Sequence, residues 1–177
     1  LIELGLLTKE DFKDLPVWEP RKIDYGPVIE YKYSKLKKAY TNFKANHSEE
    51  LHKEFQTFCQ EEVNWLKDYS LYMTLKDVNK GLSWFEWPEE LRFEDESLKE
   101  QLAKQHSNKI NYYNFLQFRF FRQWLAVKQY ANNKGIIIIG DIPIFVAPDS
   151  ADIWANKSLF QLDSKGFPTD VAGVPPD

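Results

Sequence analysis

The sequence predicts an α/β fold of which this chain carries a part, and three observations support that reading. Ile136-Ile137-Ile138-Ile139 is an unbroken β-branched run, the mark of a strand covered on both faces, as in parallel sheets. It follows the longest helical pattern in the chain, Ile110 to Ala131, which Asn133 and Gly135 bring to a stop. It then opens into Gly140-Asp141-Ile142-Pro143, the start of a loop rich in acids and prolines. Enzymes built on parallel sheets carry their reactive groups where core strands end.

Each element has a local reason. Leu1 to Leu7 is an apolar stub, and Thr8-Lys9-Glu10-Asp11 supplies an N-cap with acids in a first turn. Leu15-Pro16 and Glu19-Pro20 impose extended chain. A helix follows from about Pro27 to Lys44, with Ile29, Tyr33, Leu36, Tyr40 and Phe43 at three- and four-residue steps. Asn46-His47-Ser48-Glu49-Glu50 caps a second helix whose buried face is Leu51, Phe55, Phe58 and Cys59. Near Asn64 the stripe restarts as Trp65, Leu66, Tyr69, Tyr72, Met73 and Leu75, so a helix–helix junction falls at Glu61–Asn64 and Gly81 ends the second member. Ser83 to Arg92 is a tryptophan-rich connection with a helical turn after Pro88, and Glu94 to Gln105 is a polar amphipathic helix. The Ile110–Ala131 helix is apolar around much of its girth, as expected of a helix pressed between neighbours. After the isoleucine strand, Leu159–Leu162 and Thr169–Ala172 flank Asp163-Ser164-Lys165-Gly166 as a small hairpin.

One buried strand cannot make a sheet. Helix, glycine, buried strand and loop form one unit of an α/β fold, and a complete (β/α)8 barrel takes about 250 residues. The expectation is therefore a piece of a larger α/β enzyme, cut at both ends.

Composition narrows the function. Lys and Arg number 23 against 27 Asp and Glu, a net charge of −4, and nucleic-acid binders usually carry the opposite balance. The basic run Lys32 to Lys38 reads as a solvated helix face rather than an RNA contact. The lone Cys59 excludes an internal disulfide and reads as a half-buried helical thiol. His47 and His52 lie five apart, the wrong spacing for one helix face, and His106 stands alone, so no metal site is expected. No apolar run approaches the roughly 18 residues of a membrane span, and no signal-peptide pattern opens the chain. A soluble, cytoplasmic protein is expected, its sequence starting at Leu1 rather than Met and so expected to begin within a longer polypeptide. Aromatic residues reach 16%, with six Trp, nine Tyr and thirteen Phe; such rings fill helical cores and also stack on sugars.

At the strand end, Asp141 is the acid hardest to dismiss, since an uncompensated buried carboxylate is costly. Gly140 allows close backbone approach there, and Pro143 turns the chain outward. Asp149 or Ser150 reads as a helix N-cap and Asp152 as an acid favoured by the helix dipole. All three read equally well as binding groups. Trp154 either seals the loop or stacks on a sugar.

These blocks carry a resemblance. Gly140–Ala147, Asp149–Trp154, Leu159–Pro168 and Val171–Asp177 closely resemble ordered motifs of the 4-α-glucanotransferases, the amylomaltases or disproportionating enzymes. Phe115–Trp124 and Trp65–Lys76 are similar to that family as well, so the likeness covers most of the chain after about Phe55 and is strongest from Gly135 onward. The resemblance implies a partial glycosidase-type (β/α)8 TIM barrel truncated at both ends, with residues 1–109 as a helix-rich insertion and residues 110–177 as the barrel segment. It implies retaining transfer of α-1,4-glucan segments between maltooligosaccharides, with no cofactor, nucleic acid or membrane involved. The family's nucleophile, acid/base and supporting Asp lie beyond the last block, so no catalytic residue is assigned to this chain and it is expected to be inactive alone. Asp141 resembles an acid that shapes the donor subsite at the end of the third strand. Gly173, Val174, Pro175, Pro176 and Asp177 match the start of a loop that arches over glucan, where paired prolines limit chain freedom. Pro143, Asp149, Ser150, Asp152 and Trp154 complete the expected substrate-binding set. The competing reading is a non-catalytic, aromatic-rich glucan-binding module. A purely helical interaction protein would leave the acidic loop unexplained.

Overall fold

The structure is a computed structural model; it describes residues 1–19, 21–45, 48–93, 95–143, 145–170 and 173. Seven α-helices are found among the described residues: α1 (Tyr25–Ala45), α2 (Glu49–Glu61), α3 (Val63–Val78), α4 (Glu89–Arg92), α5 (Glu96–Gln105), α6 (Ser107–Asn133) and α7 (Ala151–Ala155). Short 3-10 turns stand at Lys9–Phe12, Trp84–Glu86 and Lys157–Leu159. The chain divides into two compact units, Leu1–Gln56 and Thr57–Asp177.

In the first unit, Leu6, Leu7, Ala39, Tyr40, Phe43 and Leu51 are buried. Only the second half of α1 is core: Ile29 and Tyr33, placed by periodicity on its inner face, are exposed. Periodicity reports a stripe but not how far along a helix its partner extends. Phe43 packs against the rings of His52 and Phe55. The Lys32–Lys38 face is largely exposed, and it is also where Lys35 and Lys38 pair with Asp14 and Asp11. Ser48 caps α2, its hydroxyl accepting from the Leu51 N–H at 3.3 Å; Asn46 and His47 lie outside the described residues.

Asp11 closes the N-terminal turn. Its carboxylate, 7% exposed, pairs with Lys38 and accepts from the Thr8 N–H at 2.7 Å and the Thr8 hydroxyl at 3.0 Å. The Lys38 contact first, then the Thr8 N–H, bring its pKa from 3.8 to about 2, against the opposing effect of burial. A folded value below the unfolded one means that the stabilisation is complete above 3.8 and is lost as pH falls toward about 2. The Thr8 and Asp11 amide resonances are expected to titrate in that acidic window by NMR. A midpoint at the ordinary 3.8 would show that Asp11 has no such partners.

The second unit is organised around α3, which packs on α5, α6 and α7. Leu66, Ser70, Leu71, Tyr72, Thr74 and Leu75 are buried on it, so small and apolar residues ring the helix on several sides. The α2–α3 junction falls at Glu62, as the restart of the stripe predicts. Leu71, Tyr72, Leu75, Trp84, Trp87, Ile153 and Trp154 form one buried cluster. The Trp-rich connection thus enters the core through Trp84 and Trp87, with a turn of helix after Pro88 as expected. Asp95 caps α5 by accepting from the Leu98 N–H at 2.8 Å. Cys59 is half-buried, and burial pushes its thiol up to about 11, which makes it unreactive.

Three expectations are corrected here. Along α6 only Tyr112, Tyr113, Phe115 and Phe118 are buried, while Phe120, Trp124, Leu125, Val127 and Tyr130 are exposed. Helix α6 is therefore pressed between neighbours over its first half alone. More important, Ile136–Ile139 forms no strand: the segment carries no regular secondary structure, with Ile137 80% and Ile139 89% exposed. A strand takes its hydrogen bonds from a strand alongside, and none lies alongside among the described residues. Gly135, in the left-handed region at φ 74°, ends α6 as predicted. The hairpin is reduced to an antiparallel bridge between Leu162 and Pro168; Val171 and Ala172 lie outside the described residues.

Candidate functional site

The acidic segment after α6 begins exposed and ends clamped. Asp141 and Pro143 are exposed, and no hydrogen bond joins residues 137–143 or 145–147 to any other described residue. Contact resumes at Pro148, whose carbonyl accepts from Trp84 Nε1 at 2.9 Å. Asp149 follows. One of its oxygens accepts from the Tyr72 hydroxyl at 2.7 Å and from the Trp84 N–H at 3.2 Å, and the other pairs with Lys76. Burial pushes the Asp149 carboxyl up, but the Lys76, Tyr72 and Trp84 hydrogen bonds outweigh it and hold the group below the ordinary 3.8. Tyr72 moves the other way: burial first, and then the adjoining carboxylate, raise its hydroxyl pKa.

Ser150 is the N-cap of α7, its hydroxyl accepting from the Ile153 N–H at 3.3 Å. The cap therefore belongs to Ser150, which leaves the Asp149 side chain to the clamp. Trp154 is 0% exposed. Its Nε1 donates to the Leu91 carbonyl at 2.9 Å, and its ring meets Tyr72 at 5.8 Å and Trp87 at 6.2 Å. The ammonium groups of Lys99 and Lys157 stand over it at 5.2 and 5.3 Å. Trp154 thus seals the loop against the core and presents no open face to a sugar.

Asp152 points the site outward. It is exposed and lines a cleft of about 200 Å³ with Asn64, Trp65, Asp68, Tyr69 and Asn156. Asp68 is paired with Lys99 at 3.0 Å, and the Tyr69 hydroxyl accepts from Gln117 at 2.9 Å. Carboxylates, amides and aromatic rings in one cleft suit a polyhydroxylated ring, which offers hydroxyls at its edge and C–H groups on its faces. Among the described residues no three His, Cys, Asp or Glu side chains gather to hold a metal ion, and no helix is long and apolar enough to cross a membrane.

Of the expected site residues, the structure brings Asp149, Ser150, Asp152 and Trp154 together at the start of α7, with Asp141, Pro143 and Gly173 exposed. Val174, Pro175, Pro176 and Asp177 lie outside the described residues. Sequence reasoning missed the partners on α3 and the Trp84 turn. A signal existed, since Trp65, Tyr69, Tyr72 and Lys76 recur at helical spacing; it read as core because the distant residues that use it are not visible from the helix itself.

Comparison with known proteins extends these observations. A 4-alpha-glucanotransferase of Thermus thermophilus is 42% identical over 177 residues, all of this chain and 35% of that protein. One from a Synechocystis strain is 39% identical over 178 residues, again all of this chain and 35% of the relative. The structure of an amylomaltase from Streptococcus agalactiae in complex with acarbose superposes with a TM-score of 0.91 at 32% identity, covering 99% of this chain and 35% of that one. The chain spans about a third of the length of the curated relatives it matches, and the likeness reaches the first residues, further than the motif blocks alone indicate. The profile of one family, described as 4-alpha-glucanotransferase, matches residues 1–177, and the chain belongs to that family.

Proposed function

We propose that this chain supplies a glucan-binding face to a longer transferase, one that moves α-1,4-glucan segments between maltooligosaccharides with retained anomeric configuration. The observation that carries the reading is the family match along all 177 residues, with the acidic loop blocks in order. Retention needs two carboxyl groups roughly 5–5.5 Å apart, one as nucleophile and one as acid/base. That pair is assigned to polypeptide outside this chain, and carboxylates alone run the chemistry without a cofactor.

On this reading residues 110–177 are a segment of a (β/α)8 barrel and residues 1–109 a helix-rich insertion. Residues 57–109 pack in the same unit as residues 110–177, so α3 to α5 brace the barrel segment. The exposed isoleucines become a strand when strands from the rest of the protein flank them, which stabilises by about 25 cal/mol for each Å² of apolar surface removed from water. Asp141, Pro143, Asp152 and the Gly173–Asp177 segment touch the glucan, while Ser150 and Trp154 hold the loop from beneath. The enzyme works on maltodextrin in the cytoplasm.

The test is disproportionation of maltotriose. A polypeptide of the relatives' full length is expected to convert two maltotriose molecules into maltopentaose and glucose, and the 177-residue chain is expected to convert none. Turnover by the chain alone would overturn the placement of the acids outside it. A full-length protein without turnover would overturn the transferase reading.

A further inference from the structure

Asp149 stands in the glucan-facing motif, and its carboxylate, 37% exposed, is nonetheless fully engaged by side chains and backbone of the unit itself. Both oxygens are engaged: Tyr72 and the Trp84 N–H on one, Lys76 on the other. The preceding carbonyl, that of Pro148, is held by the same Trp84 through Nε1. Trp84 is itself 0% exposed and cannot drift. Two anchors therefore bracket the loop that carries Asp141. At its start, Gly135 turns and the Ile136 N–H donates to the Ala131 carbonyl at 3.0 Å; at its end stands the Pro148–Asp149 clamp. Beyond the isoleucine run, no hydrogen bond to another described residue fixes residues 140–143 or 145–147, so the clamp is the nearest anchor on the C-terminal side of Asp141.

We infer that Asp149 is a positioning residue of the transferase, whose hydrogen bonds to Tyr72, Lys76 and Trp84 set the placement of the Asp141 loop without touching glucan. This rests on the transferase reading above. The carboxylate is suited to the task, because it accepts from a hydroxyl, an ammonium and a backbone N–H at once, and charge-assisted bonds are the strong ones. An amide or a hydroxyl in its place would lose the ammonium partner. A side chain that holds the loop from behind alters how sugar is bound at the loop's front, and so acts on binding more than on the chemical step.

The experiment uses the full-length enzyme with Asp149→Ala and Tyr72→Phe. With maltotriose, Asp149→Ala is expected to raise KM by about tenfold or more, with kcat within about threefold, the scale at which displaced positioning groups act. Tyr72→Phe keeps the ring in the core and removes one donor, so a smaller rise in KM is expected. The double variant should be no worse than Asp149→Ala, because the shared bond is already gone. Hydrogen exchange read by mass spectrometry should show faster exchange over residues 140–147 in both single variants. Unchanged KM together with unchanged exchange would overturn the proposal, as would a loss of thermal stability alone. If Asp149→Ala fails to fold, Tyr72→Phe decides. If the parent enzyme transfers no glucan, the transferase reading fails separately, and exchange over residues 140–147 still decides whether Asp149 positions the loop.

Discussion

Trp154→Ala is expected to cost about 3–5 kcal/mol, the range for deleting a large aromatic ring from a packed core. The ring is fully enclosed by Tyr72, Trp87 and their neighbours, and α7 is too short, at five residues, to bring other side chains into the space. Loss of Nε1 also leaves the Leu91 carbonyl without its donor, worth about 1 kcal/mol more. Lys99 and Lys157 lose the aromatic face they stand over, a smaller effect of about 0.5–1 kcal/mol each at partly exposed sites. Domains of this size hold about 5–15 kcal/mol in total, so the variant should be near the limit of folding. Trp154→Phe separates the contributions: it keeps much of the ring and removes the N–H, for an expected loss of about 1–3 kcal/mol. Urea unfolding followed by far-ultraviolet circular dichroism measures both. A Trp154→Ala chain within about 1 kcal/mol of the parent would show that the ring is not core, and would return it to the surface as a sugar platform.

What could be read from the sequence is what is encoded locally. The α2–α3 break, the stop of α6 and the caps at Thr8 and Ser150 each depend on residues within one or two turns, and each is found. The clamp was not legible, because Tyr72 and Asp149 are 77 positions apart and Trp84 and Asp149 are 65 apart. Nothing in either neighbourhood announces the other. Sequence reading gave Asp149 and Ser150 the same two alternatives; the structure separates them, the hydroxyl to the helix end and the carboxylate to the clamp with Tyr72, Lys76 and Trp84.

The isoleucine run shows the opposite situation. Its composition states an environment, coverage on both faces, that the described residues do not provide. The exposed half of α6 leads into it, so apolar side chains from Phe120 to Val146 share one unsatisfied stretch. Patterning records the whole folded protein in which a segment is used, and a chain that covers 35% of its relatives need not contain the partners that its patterning requires. The exposed isoleucines and the exposed half of α6 place this apolar surface next to the loop that bears Asp141.

Gly166→Ala is the second large effect, and it tests how tightly that loop's foundation is built. Gly166 sits at φ 86°, where an L side chain costs about 1–2 kcal/mol. A Cβ there would lie 2.8 Å from Trp84 Cη2 and 3.0 Å from Cζ3, closer than carbon atoms tolerate, with Phe93 Cζ at 3.6 Å. Neither side can yield easily. The turn is fixed by the Asp163 carboxylate, which accepts from the Lys165 and Phe167 N–H groups at 2.8 and 2.9 Å, and Arg92 donates to the Lys165 carbonyl at 3.1 Å. The indole is fixed through Nε1 by the Pro148 carbonyl, and the Trp84 backbone N–H by Asp149. Overpacking adds about 1–3 kcal/mol to the backbone strain, so the variant should lose about 2–5 kcal/mol in all. Gly140→Ala is the control: its Cβ meets nothing within 4 Å and its φ is not in the left-handed range, so stability should stay level or rise by up to about 1 kcal/mol. Because the strain passes through Trp84 to the Asp149 clamp, Gly166→Ala should also weaken the Tyr72–Asp149 bond, visible as a tyrosine hydroxyl that titrates at lower pH than in the parent. A Gly166→Ala chain that melts with the parent would mean that the turn stands away from Trp84, and the buttress beneath the acidic loop would have to be sought in other residues.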